Sequence, residues 1–228
     1  MSGVVLILFL HDQLFDSYVS KSIVMVGSKN MDSHGTGFYV KVDSGLRYIL
    51  TNGHVCEIAE KGIIYIKNQN MKSMPRRVMA ISDKTDLCLI EGFGDNFGKV
   101  LSIKDVLNKY MKLTSYGYPK DLDIVITRGE VINPEISTIP ELITSKKERD
   151  ACNPEPFKLK INLFNQEFCI TSTAAVNTTL AILQGDSGSP VVNFWGSVVG
   201  IVFATRTKDH DWGLMIPSYY IIEFLKDY

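Results

Sequence analysis

The sequence predicts an all-β protein: two six-stranded antiparallel β-barrels in succession, closed by a short C-terminal helix. Three observations lead there. Short runs rich in Val, Ile, Tyr and Phe, each ended by Gly, Asn or Asp, recur at regular spacing along most of the chain. They fall into two groups of about six, parted by the more polar stretch 96–110, "NFGKVLSIKDVLNKY". The tail "PSYYIIEFLKDY" starts at Pro217 and spaces its apolar residues as a helix does, without β-type alternation.

Residues 1–21 form an N-terminal extension. Its apolar run Val4–Leu10 lacks a cationic start and a small-x-small cleavage site, and is too short to span a bilayer. A buried strand or helix is expected there, with no convincing signal peptide or transmembrane segment. The first barrel is assigned to 22–110, from the runs "SIVMVG", "GTGFYVKV", "RYILTN", "GIIYIK", "RRVMAIS" and "DLCLIEG". Stretch 96–110 is a short helix or a linker. The second barrel is assigned to 111–216, from "YMKLTSYGY", "DIVITRGEVI", "FKLKINLF", "EFCITSTAAV", "PVVNFW", "SVVGIVFA" and "GLMIPS". Between the second and third of these, 133–156 carries Pro134, Pro140, Pro154 and Pro156 and reads as a long loop. Asn193 to Gly196 reads as a hairpin turn. The closing helix is assigned to 217–228.

With 228 residues, 45% hydrophobic and 21% charged, the chain can bury a sizeable core. A formal net charge of -1 gives no case for a nucleic-acid partner or an acidic substrate surface. No membrane partner is expected either. The basic cluster Lys146, Lys147 and Arg149 is interrupted by Glu148, followed by Asp150, and reads as a solvated loop. Cys56, Cys88, Cys152 and Cys169 form no C-x-x-C pair, and no His stands near them at zinc-site spacing. Buried free thiols are the expectation, with a Cys152–Cys169 disulfide left open. No metal and no cofactor are called for.

The chemistry gathers around "AILQGDSGSPVV", where Ser187 sits in a Gly-rich turn between apolar runs. A serine hydroxyl needs a base, and the base needs something to orient it. Among four histidines, His11, His34 and His210 lie in polar, loop-like settings. His54 instead follows an apolar strand in "YILTNGHVCEIA", beyond an Asn-Gly turn that can project it into a cleft. Asp86 opens the apolar run "DLCLIEG", where a carboxylate is costly unless it is bonded. Holding an imidazole N–H would meet that need; Asp83 is the reserve candidate. Gly185 and Gly188 permit a tight turn that aims the N–H groups of Gly185 and Ser187 at one point, as an oxyanion hole requires.

The ordered set "TNGHV", "DLCLI" and "GDSGSPVV" resembles the chymotrypsin-like (trypsin-like) serine peptidases, closest to their bacterial Deg-type branch and to related viral proteases. "GTGFYVKVDSGLRYILTNGHV", "SYGYP" and "GLMIPS" are similar to segments of that branch, so the resemblance spans about 22–222. It implies two six-stranded barrels with the site between them, and polypeptide substrates. It makes His54 the general base, Asp86 the orienting acid, Ser187 the nucleophile and the Gly185 amide the second oxyanion donor beside that of Ser187. It further implies a specificity pocket walled by Ala181, Ile182, Phe203, Ala204, Thr205, Gly213 and Met215, with no charge to pair with a basic or acidic side chain. A neutral or apolar residue before the cleaved bond is expected, unless Arg206 swings inward and favours an acidic one. Departures from the pattern are Ser189 in place of a usual Gly and about twenty extra N-terminal residues. The latter leave Asp186 needing a partner other than a freed N-terminal amine. No room is left for a PDZ domain, which is not expected in this chain.

The leading reading is a serine endopeptidase acting through an acyl-enzyme. Its rivals are a catalytically silent protease-fold binding module and a self-processing protease with a later structural role. An esterase is disfavoured because Ser187 leads into a strand rather than a helix.

Overall fold

A computed structural model describes residues 14–68, 73–82, 85–92, 99–119, 123–142, 158–163, 166–205 and 213–228. For 137–142, 158–163, 166–173 and 204–205 it describes the backbone alone. The first six predicted runs become β1 (Ile23–Gly27), β2 (His34–Lys41), β3 (Arg47–Thr51), β4 (Ile63–Lys67), β5 (Met74–Ile81) and β6 (Cys88–Glu91). They close antiparallel in the order β1-β2-β3-β6-β5-β4, with β4 returning to β1, so no ladder edge is left open.

Their near-continuous hydrophobicity has a geometric cause. On one face Val24, Val26, Tyr39, Ile49 and Ile90 fill the barrel. The residues one step along, Ile23, Met25, Phe38, Leu50 and Leu89, point the other way and meet Tyr116, Val192, Ile201 and Ile216 of the second half. Strands buried on both faces lose the polar alternation of a half-exposed sheet. β5, away from this seam, keeps it, alternating half-buried with exposed positions. Each buried aliphatic side chain contributes about 1.5–3 kcal/mol.

The second half contains β7 (Lys112–Gly117), β8 (Val125–Leu142), β9 (Lys158–Leu163), β10 (Gln166–Thr178), β11 (Pro190–Asn193), β12 (Val198–Thr205) and β13 (Gly213–Pro217). The order β13-β12-β11-β7-β8-β10 closes when β10 pairs back with β13, giving a second six-stranded barrel. β9 lies outside it as a further strand on β10. Leu113, Val131, Val176, Val191, Val199 and Met215 fill its interior. The Asn193–Gly196 turn forms as expected: the Asn193 carboxamide oxygen accepts the N–H groups of Trp195 and Ser197, at 3.0 and 3.1 Å.

Three short helices complete the described chain. Residues 14–20 form α1, whose Asp16 accepts the Tyr116 hydroxyl at 2.5 Å and Arg128 at 2.9 Å. Gly53–Cys56 form the single turn α2 and Ser218–Leu225 form α3. Among the described residues no helix is long and apolar enough to cross a membrane.

Three expectations change. Residues 133–142, expected in a loop, extend β8. Beyond Val131 the strand pairs only with β10, so Pro134 and Pro140 lie where one side carries no ladder bond, and β10's register shifts absorb the irregularity. The rest of that predicted loop lies outside the described residues. Of the two readings of 96–110, the described residues 99–110 form the linker and no helix; it runs along β12, with Lys104 N–H donating to the Val198 carbonyl and Val198 N–H donating to the Ser102 carbonyl. Cys56 and Cys88 are not free thiols but a disulfide, 2.02 Å between sulfurs. Closure of β3 onto β6 sets Thr51 opposite Cys88 and so brings together cysteines 32 residues apart. The side chains of Cys152 and Cys169 lie outside the described residues. Finally, Asn52-Gly53 is no turn: it leads into α2.

Candidate active site

The first barrel presents His54 on α2 and Asp86 two residues before β6. Asp86 is held three times. Its Oδ1 accepts the His54 backbone N–H at 2.7 Å, its Oδ2 accepts Nδ1–H of the same ring at 2.6 Å, and its carbonyl accepts the Asn52 side chain at 3.0 Å. The cost expected for a carboxylate at the mouth of a buried strand is met by charge-assisted bonds. With Nδ1 donating, the other ring nitrogen of neutral His54 has an open lone pair. Burial alone would lower the His54 pKa; the bond to Asp86, with the charges of Asp86 and Glu57, outweighs it and raises the pKa above 6.5. The Cys56–Cys88 disulfide ties together the segments that follow His54 and Asp86.

The second barrel presents Ser187 in the turn entering β11. Gly185 at φ +102° and Gly188 at φ +87° occupy the left-handed region. Every amide of 186, 188 and 189 has a partner: Asp186 N–H donates to Leu183, Gly188 to Val202 and Ser189 to Asp186. Among the described residues, the N–H groups of Gly185 and Ser187 donate to nothing. These are the two that sequence reasoning singled out. The Ser187 hydroxyl makes a long, 3.5 Å bond to the Phe203 carbonyl. The Phe203 ring meets the His54 ring edge-on, centroids 6.2 Å apart, so both side chains converge on Phe203.

Asp186 is 5% exposed, and Leu183 N–H donates to its Oδ2 at 2.9 Å. Among the described residues no cation faces it. Burial raises its pKa from 3.8 to about 6, only partly opposed by the Leu183 bond. Its Oδ1 points to Gly117, where a Cβ would stand 2.3 Å from that oxygen and 2.4 Å from the Ser189 hydroxyl. The Ser189 hydroxyl is buried and has no hydrogen-bond partner among the described residues.

Of the predicted pocket residues, Ile182 and Met215 pack within the second barrel's core, and Ile182 lies against Gly213. Phe203 stands at His54, and Ala181 is exposed. Ala204 and Thr205 belong to β12, with side chains outside the description; Asp83, Arg206, His11 and His210 lie outside it altogether. His34 is not a loop residue but opens β2, its ring nitrogens 2.9 Å from the Met31 carbonyl and 3.1 Å from that of Tyr118. Sequence reasoning missed Asn52, Glu57, the disulfide and Thr36. Only Asn52 and Thr36 left a signal, inside the quoted "TNGHV" and "GTGF".

A double antiparallel barrel with a His–Asp pair on one half and a serine in a turn of free amides on the other has the architecture of the chymotrypsin-like serine hydrolases. The trypsin-like peptidase domain family matches residues 35–201, and the chain belongs to it. Relatives include a "Probable periplasmic serine endoprotease DegP-like" of Chlamydia pneumoniae, 28% identical over 81% of this chain and 32% of its own length. The "Serine protease Do-like HtrA" of Bacillus subtilis is 26% identical over 85% of this chain and 40% of its own. The chain thus spans about a third to two fifths of these curated relatives. In fold it is similar to the Rv3671c protease in its inactive form, with a TM-score of 0.65 and 17% identity over 96% of this chain and 94% of that one. The HtrA-type protease AlgW with tripeptide gives 0.66 and 18% identity over 93% and 62%.

Proposed function

We propose that the chain is a serine endopeptidase in which Ser187 is the nucleophile, His54 the general base and Asp86 the orienting acid. The observation that carries this reading is the turn: within 185–189, the two amides without partners among the described residues are those of Ser187 and Gly185. In the mechanism, the Ser187 oxygen attacks a peptide carbonyl while His54 Nε2 takes its proton. The carbonyl oxygen, now negative, accepts the Gly185 and Ser187 N–H groups. His54 returns the proton to the leaving amine, an acyl-enzyme remains, and water hydrolyses it by the same route. Asp86 keeps Nδ1 protonated throughout and stabilises the imidazolium.

Polypeptides are the substrate class that the family suggests. The uncharged residues that the family resemblance assigns to the pocket favour a neutral or apolar residue before the cleaved bond, with loose selection within that class, since a methylene is worth about 1–3 kcal/mol. The test is a fluorophosphonate probe followed by intact mass. One adduct is expected on the wild type and none on Ser187→Ala or His54→Ala. A wild type that takes no adduct from mildly acid to mildly alkaline pH would favour a binding module. Peptides varied only before the cleaved bond test the pocket; preferred cleavage after Lys or Arg would overturn that part.

A further inference from the structure

We propose that Thr36, on β2, is the positioning residue that sets the Ser187 turn against the His54 segment. This rests on the reading of Ser187 as nucleophile and names what holds its turn in shape. Thr36 is fully buried, and its N–H, hydroxyl and carbonyl between them bond to three other segments. Its N–H donates to the Ser187 carbonyl at 2.7 Å. Its hydroxyl donates to the Gly185 carbonyl at 2.8 Å and accepts the Tyr118 N–H at 2.9 Å. Its carbonyl accepts the Thr51 hydroxyl at 2.6 Å, three residues before His54.

The placement of these bonds along the turn gives them their meaning. The free amides of Gly185 and Ser187 belong to the peptide planes 184–185 and 186–187. Thr36 grips the two planes that alternate with these, 185–186 and 187–188, through their carbonyls. Each free N–H is thereby adjacent to a clamped plane, while nothing among the described residues bonds to it directly. Close approach is built in at Gly188, where a Cβ would come 2.0 Å from the Thr36 carbonyl oxygen and 2.3 Å from the Thr51 hydroxyl. A single hydroxyl oxygen serves both Gly185 and Tyr118, donating to the Gly185 carbonyl and accepting the Tyr118 N–H. Valine has Thr36's shape with neither capacity, whereas serine retains both.

Thr36→Val and Thr36→Ser separate positioning from space-filling. Three readouts apply to each folded variant: the rate of fluorophosphonate labelling, kcat and KM on a cleaved peptide, and amide hydrogen exchange across 184–189. For Thr36→Val the labelling rate and kcat are expected to fall about 10²-fold, as a displacement of about 1 Å at a reacting group can produce. KM should change little, and exchange across 184–189 should accelerate. Thr36→Ser should stay close to wild type in all three. Should Thr36→Val not fold, Thr36→Ala against Thr36→Ser makes the same comparison. A folded Thr36→Val that labels at the wild-type rate, or a Thr36→Ser as slow as Thr36→Val, overturns the proposal. If wild type and Ser187→Ala prove equally inert to the probe, the nucleophile reading fails instead. Exchange still decides for Thr36: unchanged protection in the valine variant rejects it.

Discussion

The histidine side and the serine side of the site are built on opposite principles. His54 and Asp86 are held by side chains and charge: a carboxylate with two N–H donors from one residue, a carboxamide on its carbonyl and a disulfide behind both. The Ser187 turn is held mainly through its own main chain, by the Thr36 amide and hydroxyl and the Val202 and Leu183 carbonyls. Its one charged side chain, Asp186, is buried with a single amide donor and no cation among the described residues. Ionisation thus supports the first region and opposes the second. The lesson is that a turn can present free amides only if its shape comes from elsewhere, because amides spent on holding it could not serve an oxyanion.

The largest effect should come from Asp86→Asn, which sharpens the charge-built side. An amide facing Nδ1 favours the wrong tautomer, and kcat should fall about 10⁴-fold with the fold intact by circular dichroism. A loss below about tenfold would remove Asp86 from the mechanism. The same variant bears on pH. Wild-type kcat/KM should rise with pH through a midpoint above 6.5, because His54 must lose its proton to act and its pKa is raised. In Asp86→Asn the midpoint should move down. Stability follows the matching sign: the favourable term from protonated His54 is complete below about 6.5 and fades as pH climbs through its raised pKa.

Next, Cys56→Ser with Cys88→Ser opens a 32-residue span. Loop-closure entropy puts the loss at about 3–4 kcal/mol, read by urea unfolding. Equal stability would show that bonds between His54 and Asp86 suffice to hold these segments.

Asp186→Asn tests the other side and should have the opposite sign. A carboxyl at about 6 in the fold against 3.8 ordinarily costs up to about 3 kcal/mol once ionised in both states. Wild-type stability from this group is therefore greatest below about pH 4, declines as pH rises towards 6, and is level above. Asn can still accept the Leu183 N–H, so the variant should lose that decline and unfold at higher urea at pH 8. A variant less stable than wild type at pH 8 would mean that Asp186 has a stabilising partner. The smallest effect is Glu57→Gln, expected to lower the midpoint of the pH–rate limb less than Asp86→Asn does.

Much of this was legible in the chain. Runs such as "SIVMVG" and "DLCLIEG" announce strands because β-branched residues suit a pleated backbone, and the turn at Asn193–Gly196 carries its own chemistry. His54, Asp86 and the Gly185–Ser187 amides were legible as candidates because Asp86 and Ser187 stand where a polar segment meets an apolar run and His54 closely follows an apolar strand. β8 was misread past residue 132 because prolines signal loops unless an open edge accommodates them, and an edge is a property of the assembled sheet.

By itself, then, the sequence determined local matters: which segments extend, where they turn, and which residues are candidates for nucleophile, base and acid. The tertiary structure alone decided the pairings between distant segments: Cys56 with Cys88, Thr36 with Gly185 and Ser187, and Asp186 facing Gly117 with no cation among the described residues. The physical reason is one of range. Propensity and turn chemistry act over a few residues, whereas disulfides, desolvation and hydrogen bonds between strands depend on distances that exist only after both barrels close.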